Sequence, residues 1–204
     1  MAGQQKKLNG IIPIIFAGPS GVGKGTIIDL LKKEYPSKVG HSVSHTTRAP
    51  RPGEVDGVHY HFVTPEKFQE LVDQNKFVET AVVHTNRYGT TFDAVQAVSS
   101  TGKLCLLDLD VQGCQSVRRV QFDAYLVFIA PPSTDALIER LKKRGTEDDE
   151  KIAIRLATAT KEMEFVNDAM WDKVLVNDNL DTCYGQIKAI IHEMEHGFLD
   201  KPEL

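Results

Sequence analysis

The stretch Gly18-Pro-Ser-Gly-Val-Gly-Lys24 decides the fold, because it joins the apolar run Ile11–Ala17 to a segment with helical periodicity. Its glycines let successive backbone N–H groups turn toward one point, and the N-terminus of the following helix adds partial positive charge there. Lys24 contributes a full charge. Between a strand and a helix this spacing predicts a nucleotide-phosphate loop rather than a turn with a solvated lysine.

The two residues after Lys24 depart from the usual pattern, in which a Ser or Thr hydroxyl follows the lysine and ligates Mg²⁺. Here Gly25 follows, and Thr26 comes next. This ending resembles that of adenylate kinases, whose Mg²⁺ is held by phosphate oxygens and water, so we expect Thr26 to orient phosphate. The expected ATP contacts in this segment are Ser20, Gly21, Val22, Gly23, Lys24, Gly25 and Thr26.

Outward from the loop, apolar strands alternate with helices, which predicts an α/β fold with a parallel sheet between two helical layers. We expect one domain over residues 1–204, with its core at 11–40, 92–130 and 166–197. The expected core elements are strands at Ile11–Ala17, Leu104–Asp110, Tyr125–Ala130 and Val174–Val176, and helices from Lys24 to before Pro36, at Phe92–Ser100 and from Thr182 to about Gly197.

Two segments depart from this alternation. Residues 41–91 alternate polar and apolar positions around many turn formers, which indicates a small mixed antiparallel insert with one helix at Pro65–Gln74. Residues 131–165 predict a helical lid, with one helix at Thr134–Arg144 and a second that opens at a capping box, Thr146–Asp149.

The composition is typical of a soluble, intracellular protein of one domain and does not indicate a particular chemistry. The net charge of −4 argues against a sequence-independent nucleic-acid binder. No apolar run approaches the roughly 20 residues that span a bilayer, and the first ten residues lack a signal-peptide core. The three widely spaced cysteines indicate a reducing compartment. We therefore expect a soluble, cytoplasmic protein that requires no oligomer.

From Ser42 onward the chain resembles the guanylate kinases, over about residues 11–196. The likeness is carried by several ordered motifs, which are GPSGVGK, SVSHTTRAPRPGE, GVHYHF, FVE, RYGT, LLDLDVQG, PPS, RGTEDDEKIAIR and VND. The resemblance implies a P-loop nucleoside monophosphate kinase that transfers a phosphoryl group from ATP to GMP in purine nucleotide metabolism, with Mg²⁺.

The insert carries side chains suited to GMP. Arginines at 48 and 51 can hold a phosphate through paired N–H groups. A carboxylate at 79 can accept from both N1–H and N2–H₂ of guanine, whereas adenine would present an acceptor at N1. By resemblance the tyrosines contact phosphate, and two acids at the end of a strand lie near the acceptor. The expected GMP site is Ser44, Arg48, Arg51, Tyr60, Glu79, Tyr88, Thr90, Asp108 and Asp110.

The resemblance also assigns the donor side and the chemistry. Asp108 lies near Mg²⁺, in direct contact or through water, while Asp110 has the alternative of capping the next helix. Arg140 assists the ATP phosphates, and Asn177 and Asp178 contact the adenine side. The expected catalytic residues are Lys24, Arg51, Arg144 and Arg155.

Three alternatives stay open. One is a guanylate-kinase-like interaction module without catalysis, which the intact phosphate loop opposes. Another is a different nucleoside monophosphate kinase, which Glu79 and Ser44 oppose. A third is a zinc peptidase, because His192-Glu-Met-Glu-His196 matches a zinc-binding pattern. The last is opposed by helical phase, since the apolar stripe of that helix lies opposite both histidines.

Overall fold

The computed structural model describes residues 11–83, 85–143 and 149–194. Its elements, in chain order, are β1 (Ile14–Ala17), α1 (Lys24–Glu34), β2 (Val39–His41), β3 (His45–Thr46), β4 (His61–Phe62), α2 (Pro65–Asp73), β5 (Phe77–Val83), β6 (Asn86–Thr91), α3 (Phe92–Ser99), β7 (Leu104–Asp108), α4 (Val111–Arg119), β8 (Tyr125–Ala130), α5 (Thr134–Lys143), α6 (Asp149–Met163), β9 (Lys173–Val176) and α7 (Leu180–Met194).

A parallel sheet in the order β2-β7-β1-β8-β9 forms the core, which confirms the α/β expectation. Successive residues of β1 face opposite sides of this sheet. Ile14 and Phe16 pack with α1 and α7, whereas Ile15 and Ala17 pack with side chains from α3 and α4. Burial on both faces explains why the central strands are almost continuously apolar.

Strand ends differ from the sequence expectation where a single residue changes the hydrogen bonding. β1 begins at Ile14 rather than Ile11, after Pro13, which has no N–H for the ladder. β7 ends at Asp108 rather than Asp110, since Asp110 is the N-cap of α4 and accepts from the Gly113 N–H at 2.7 Å. The capping alternative for Asp110 is therefore confirmed.

Residues 45–91 form a second sheet, in the order β4-β3-β6-β5, with α2 beside it. Its pairs are antiparallel except β3 with β4, which run parallel because the long 47–60 connection returns the chain to the same end. The entry strand β2 was not expected, and its His41 still pairs with Leu106 of the core sheet.

The described part of the lid segment packs α5 against α6 through Leu137, Leu141 and Ala159. Arg144 lies outside the described residues. The expected capping box begins at Thr146, which also lies outside them. On α7, the buried side chains include Ile187, Ile190 and Ile191, while His192 is exposed, which agrees with the expected helical phase. His196 lies outside the described residues.

Within the described ranges, none of the helices is long and apolar enough to cross a membrane.

Candidate functional site

The phosphate loop lies between β1 and α1, as its sequence predicts. Gly18, Gly21 and Gly23 have φ angles of 130°, 91° and 109°, which are positions that favour glycine. At Gly18 a Cβ atom would lie 2.1 Å from the Ile129 carbonyl oxygen on β8, so a side chain there is excluded by space as well. The loop is therefore fixed by backbone conformation, with its concave side open for phosphate oxygens.

Lys24 reaches back across this loop. Its Nζ donates to the Gly18 carbonyl oxygen at 2.6 Å and lies 3.6 Å from Asp108 Oδ1, at the end of the neighbouring strand β7. Only 13% of the Lys24 side chain is exposed, against 41% for Asp108. Burial raises the pKa of Asp108, while Lys24 opposes this rise. Lys24 and Asp108 therefore place two opposite charges next to each other where β1 and β7 end.

Asn177, which we expected on the adenine side, hydrogen-bonds to the backbone of the phosphate loop. Its Nδ2 donates to the Val22 carbonyl oxygen at 2.8 Å, and the side chain is buried. Arg140 Nη2 donates to the Asn177 carbonyl oxygen at 2.9 Å and to that of Asp178 at 3.3 Å. These contacts tie α5 and the residues after β9 to the phosphate loop.

Two side chains of α6, in the segment expected to form a lid, interact with the phosphate loop or with the charges beside it. Arg155 Nη1 donates to Ser20 Oγ at 2.9 Å, so this expected catalytic arginine lies at the phosphate loop. Burial raises the pKa of Glu162 to about 7, Lys24 lowers it, and Asp110 and Asp108 raise it further. Glu162 was not expected from the sequence. Its signal is the spacing of seven residues from Arg155, which places both on one helix face.

On the acceptor side, a polar cluster forms where β5 and β6 meet. Ser44 Oγ lies 3.0 Å from Thr90 Oγ1, and Thr90 also hydrogen-bonds to Glu79. Glu79 is 7% exposed. Burial raises its pKa to about 7, the Thr90 hydroxyl and N–H lower it, and the charge of Asp110 raises it. The insert thus brings together the side chains expected to recognise guanine.

The expected phosphate side chains gather at the other end of the insert. The Tyr60 and Tyr88 rings lie 5.9 Å apart, and the Arg48 guanidinium carbon lies 5.5 Å from the Tyr60 ring centre. Arg48 Nη2 donates to Glu54 Oε1 at 2.8 Å. The Arg51 side chain is exposed, and its backbone N–H donates to Glu54. The structure therefore brings Arg48 and the tyrosines together and leaves the Arg51 guanidinium toward solvent.

A cleft of about 260 Å³ lies between the insert and the core sheet. Its walls include Ser44, Tyr60 and Thr90 from the insert and Asp108 from the core. Ser44 and Thr90 therefore share one cleft with Asp108, whose Oδ1 lies 3.6 Å from Lys24 Nζ. Such a polar cleft, at the carboxyl ends of parallel strands, is where α/β proteins bind ligands.

This arrangement fits Mg²⁺ that is held mostly by ligand oxygens. No group of three or more His, Cys, Asp and Glu side chains in the described part of the chain could hold a metal ion. Mg²⁺ commonly takes one or two carboxylates, substrate phosphates and several waters. Asp108 offers one partly exposed carboxylate beside the loop, while Thr26 and Gly25 are exposed at the start of α1.

The fold and the loop define a P-loop α/β protein whose insert faces the phosphate site. The guanylate kinase family model matches residues 11–194. The chain belongs to the guanylate kinase family, as its motifs predict.

Curated relatives agree. The chain is 52% identical to guanylate kinase 1 of Oryza sativa subsp. japonica over 88% of this chain and 47% of that protein. It is 47% identical to guanylate kinase of Schizosaccharomyces pombe (87% of this chain, 89% of that one) and 40% identical to that of Homo sapiens (91% and 95%). The chain thus spans about half the length of the rice relative and most of the other two.

Among solved structures, guanylate kinase from Anaplasma phagocytophilum matches with a TM-score of 0.63 and 29% identity, over 93% of this chain and 88% of that one. The SH3-kinase fragment of tight junction protein 3 matches with a TM-score of 0.54 and 14% identity, over 98% of this chain and 62% of that one. At that identity the second likeness shows the fold alone.

Proposed function

We propose that this chain transfers the γ-phosphoryl group of ATP to GMP, forming ADP and GDP in purine nucleotide metabolism. The observation that carries the proposal is the cleft lined by Ser44 and Thr90 on one side and by Asp108 on the other. Thr90 hydrogen-bonds to buried Glu79, and Asp108 lies 3.6 Å from Lys24 Nζ of the phosphate loop. A polar cluster suited to base recognition on one side of this cleft, and an acid beside the phosphate loop on the other, fit a nucleotide acceptor and an ATP donor held end to end.

Base selectivity follows from Glu79. Its carboxylate is buried and oriented by Thr90, so its oxygens can accept from N1–H and N2–H₂ of guanine. Adenine would place the N1 acceptor against this carboxylate, leaving a buried charge without a donor, which costs about 1–3 kcal/mol or more. This supports GMP over AMP as the acceptor.

The transfer itself needs positioned cations more than a strong base, because the GMP phosphate is already anionic. An oxygen of that phosphate attacks the γ-phosphorus as the bond to the β–γ bridging oxygen breaks, and ADP leaves. Charge spreads over the equatorial oxygens in this transition state. Lys24 at the loop and Arg155 beside Ser20 are placed to stabilise that charge. Arg51 and Arg144 remain predicted catalytic residues.

The proposal includes Mg²⁺ bound with ATP, with Asp108 as the protein group near it. When bound, Mg²⁺ neutralises phosphate charge. It also includes closure of the 41–91 insert and the 131–165 lid over the core, which would exclude water from the phosphoryl group. All three cysteines are free and buried, which supports a cytosolic setting.

An assay of ADP release with GMP, AMP, UMP and CMP as competing acceptors tests the proposal. We expect GMP to be preferred, with turnover dependent on Mg²⁺. Preference for another acceptor would contradict the assignment to GMP. Calorimetry that detects no ATP or GMP binding would instead indicate an interaction module.

A further inference from the structure

The connection between β3 and β4 contains a tight turn, Arg51-Pro52-Gly53-Glu54. The Glu54 N–H donates to the Arg51 carbonyl oxygen at 3.0 Å, and Gly53 has a φ of 85°. Proline followed by a glycine at positive φ is the sequence of a type II turn. A Cβ on Gly53 would meet no atom within 4 Å, so glycine is needed there for its conformation. The turn brings the Glu54 side chain back over the chain that precedes it.

The Glu54 carboxylate uses both of its oxygens. Oε1 accepts from Arg48 Nη2 at 2.8 Å, while Oε2 accepts from Arg48 Nη1 at 2.9 Å and from the Arg51 N–H at 2.6 Å. Arg48 Nη1 also donates to the Ala49 carbonyl oxygen at 2.7 Å. Only 14% of the Arg48 side chain and 18% of the Glu54 side chain are exposed. Paired contacts of this kind fix the plane of a guanidinium as well as its position.

These contacts leave part of Arg48 for another partner. A guanidinium carries five N–H groups, and Glu54 and Ala49 engage both of those on Nη1 and one on Nη2. The Tyr88 hydroxyl also hydrogen-bonds to this guanidinium, and the Tyr60 ring lies beside it. The side of Arg48 that Glu54 does not occupy therefore lies with the two tyrosines expected to bind phosphate.

Hydrogen bonding to Arg48 and to the Arg51 N–H lowers the pKa of Glu54 to about 2, so it stays ionised at neutral pH. Its attachment to the Arg51 N–H and to the turn anchors it independently of Arg48. A carboxylate that is anchored in this way and binds one edge of the Arg48 guanidinium can stay in place when a phosphate binds another edge.

We infer that Glu54 is a positioning residue for the acceptor phosphate, and that it orients Arg48 so that its remaining N–H groups meet a phosphate monoester. This inference rests on the proposed function and deepens it. It also assigns the Pro52-Gly53 turn a role, because the turn delivers the carboxylate to Arg48.

Steady-state kinetics of ADP release with Glu54→Ala and Glu54→Gln test the inference. We expect the KM for GMP to rise about tenfold in both, because the loss of one charge-assisted pair is worth about a factor of ten. The Glu54→Gln variant should also fail to orient Arg48, since the NH₂ group of Gln would face the N–H groups of Arg48. The kcat and the KM for ATP should change less than twofold. Glu70→Gln, which breaks an exposed pair with Lys67 on α2 of the same insert, should leave all constants unchanged.

A double-mutant cycle separates positioning from simple loop stability. In an Arg48→Ala background, Glu54→Ala should raise the KM for GMP less than twofold further. An undiminished tenfold rise there would show that Glu54 only stabilises the loop and would overturn the inference. A fall in the KM of the single Glu54→Ala variant would also overturn it, because Glu54 would then compete with phosphate.

The wild-type reaction distinguishes this inference from the function on which it rests. Wild-type protein without GMP-dependent ADP release would contradict the proposed function. Active wild-type protein with an unchanged KM in both Glu54 variants would contradict only the role of Glu54.

Discussion

The two halves of the candidate site are built in different ways. The donor half is a backbone structure, in which seven consecutive residues, Gly18 to Lys24, form the phosphate loop and three glycines have positive φ. The acceptor half is a side-chain structure, in which Ser44, Glu79 and Thr90 come from separate parts of the insert. The donor half therefore depends on local conformation, and the acceptor half depends on the register of the second sheet.

This difference has a consequence for substitutions. In the donor half, changes should act on turnover or on folding, because this loop is proposed to hold the phosphate groups of ATP. In the acceptor half, changes should act mainly on the affinity for GMP. Substitution and pH experiments can test this contrast, in descending order of expected effect.

Lys24→Ala should lower kcat about 10²–10³-fold, because it removes the cation that we propose stabilises the transferred phosphoryl group. Lys33→Ala, in the last turn of α1, removes the same charge away from the cleft and should have little effect. Both are measured by ADP release at saturating GMP and ATP. A Lys24→Ala enzyme with wild-type turnover would remove Lys24 from the catalytic residues.

Gly18→Ala should lower the thermal midpoint, since it combines a strained φ with a clash against Ile129 and costs roughly 1–3 kcal/mol or more. Gly25→Ala is the matched change in α1, where a Cβ meets no atom within 4 Å, and it should raise stability by up to about 1 kcal/mol. Calorimetric melting of the two variants compares them directly. Equal midpoints would show that backbone conformation does not fix this loop.

Glu79→Gln should raise the KM for GMP about 10–100-fold, because the amide keeps one acceptor and places an NH₂ donor against guanine. The KM for ATP should stay within twofold. A comparable rise in both constants would mean that Glu79 stabilises the whole cleft rather than recognising the base. Glu70→Gln serves as the control in the same insert.

The pH dependence of GMP affinity should follow the carboxyl of Glu79, whose pKa is about 7. The charged form accepts both guanine donors, so affinity should fall about tenfold from pH 8 to pH 6 as that form is lost. Isothermal titration across this range measures it. Glu79→Gln reports the titration of the GMP phosphate alone, and an equally steep profile in that variant would contradict the assignment.

The same carboxyl group affects folding stability in the opposite direction. Its ionisation favours GMP binding but lowers the free energy of unfolding. Its folded-state pKa lies above the ordinary value of 4.5, so the stability it contributes is complete below that value and is lost as the pH rises through about 7. Glu79→Gln should therefore melt higher than wild type at pH 8, while binding GMP less tightly.

Asp110→Ala should cost about 1 kcal/mol of stability, because it removes the N-cap of α4. Asp110→Asn retains a capping side chain and should restore that stability. The kinetics of the Asn variant then test the remaining role of Asp110 in the acceptor site. A changed KM for GMP at unchanged stability would support that role, and an unchanged KM would leave Asp110 as a cap.

Several side-chain contacts around the site could not be predicted from the sequence. The 42–54 motif indicates arginines for phosphate, yet it gives no sign that Glu54 engages Arg48, six residues earlier, or that Arg51 stays exposed. Those facts depend on the turn at Pro52-Gly53 and on the return of the chain to a parallel β3–β4 pair. Likewise, the interaction of Glu162 with the charges of Lys24 and Asp108 depends on how α6 packs in the fold, which is a contact between elements.

The sequence by itself determined the phosphate loop, the parallel core and the family. The loop is encoded by consecutive residues, and burial on both faces of a sheet leaves apolar runs that are visible in one dimension. The tertiary structure alone decided which carboxylates meet which cations. Such pairs depend on strand order and helix packing, because these bring together residues that are far apart in the chain. Lys24 Nζ and Asp108 Oδ1, for example, lie 3.6 Å apart.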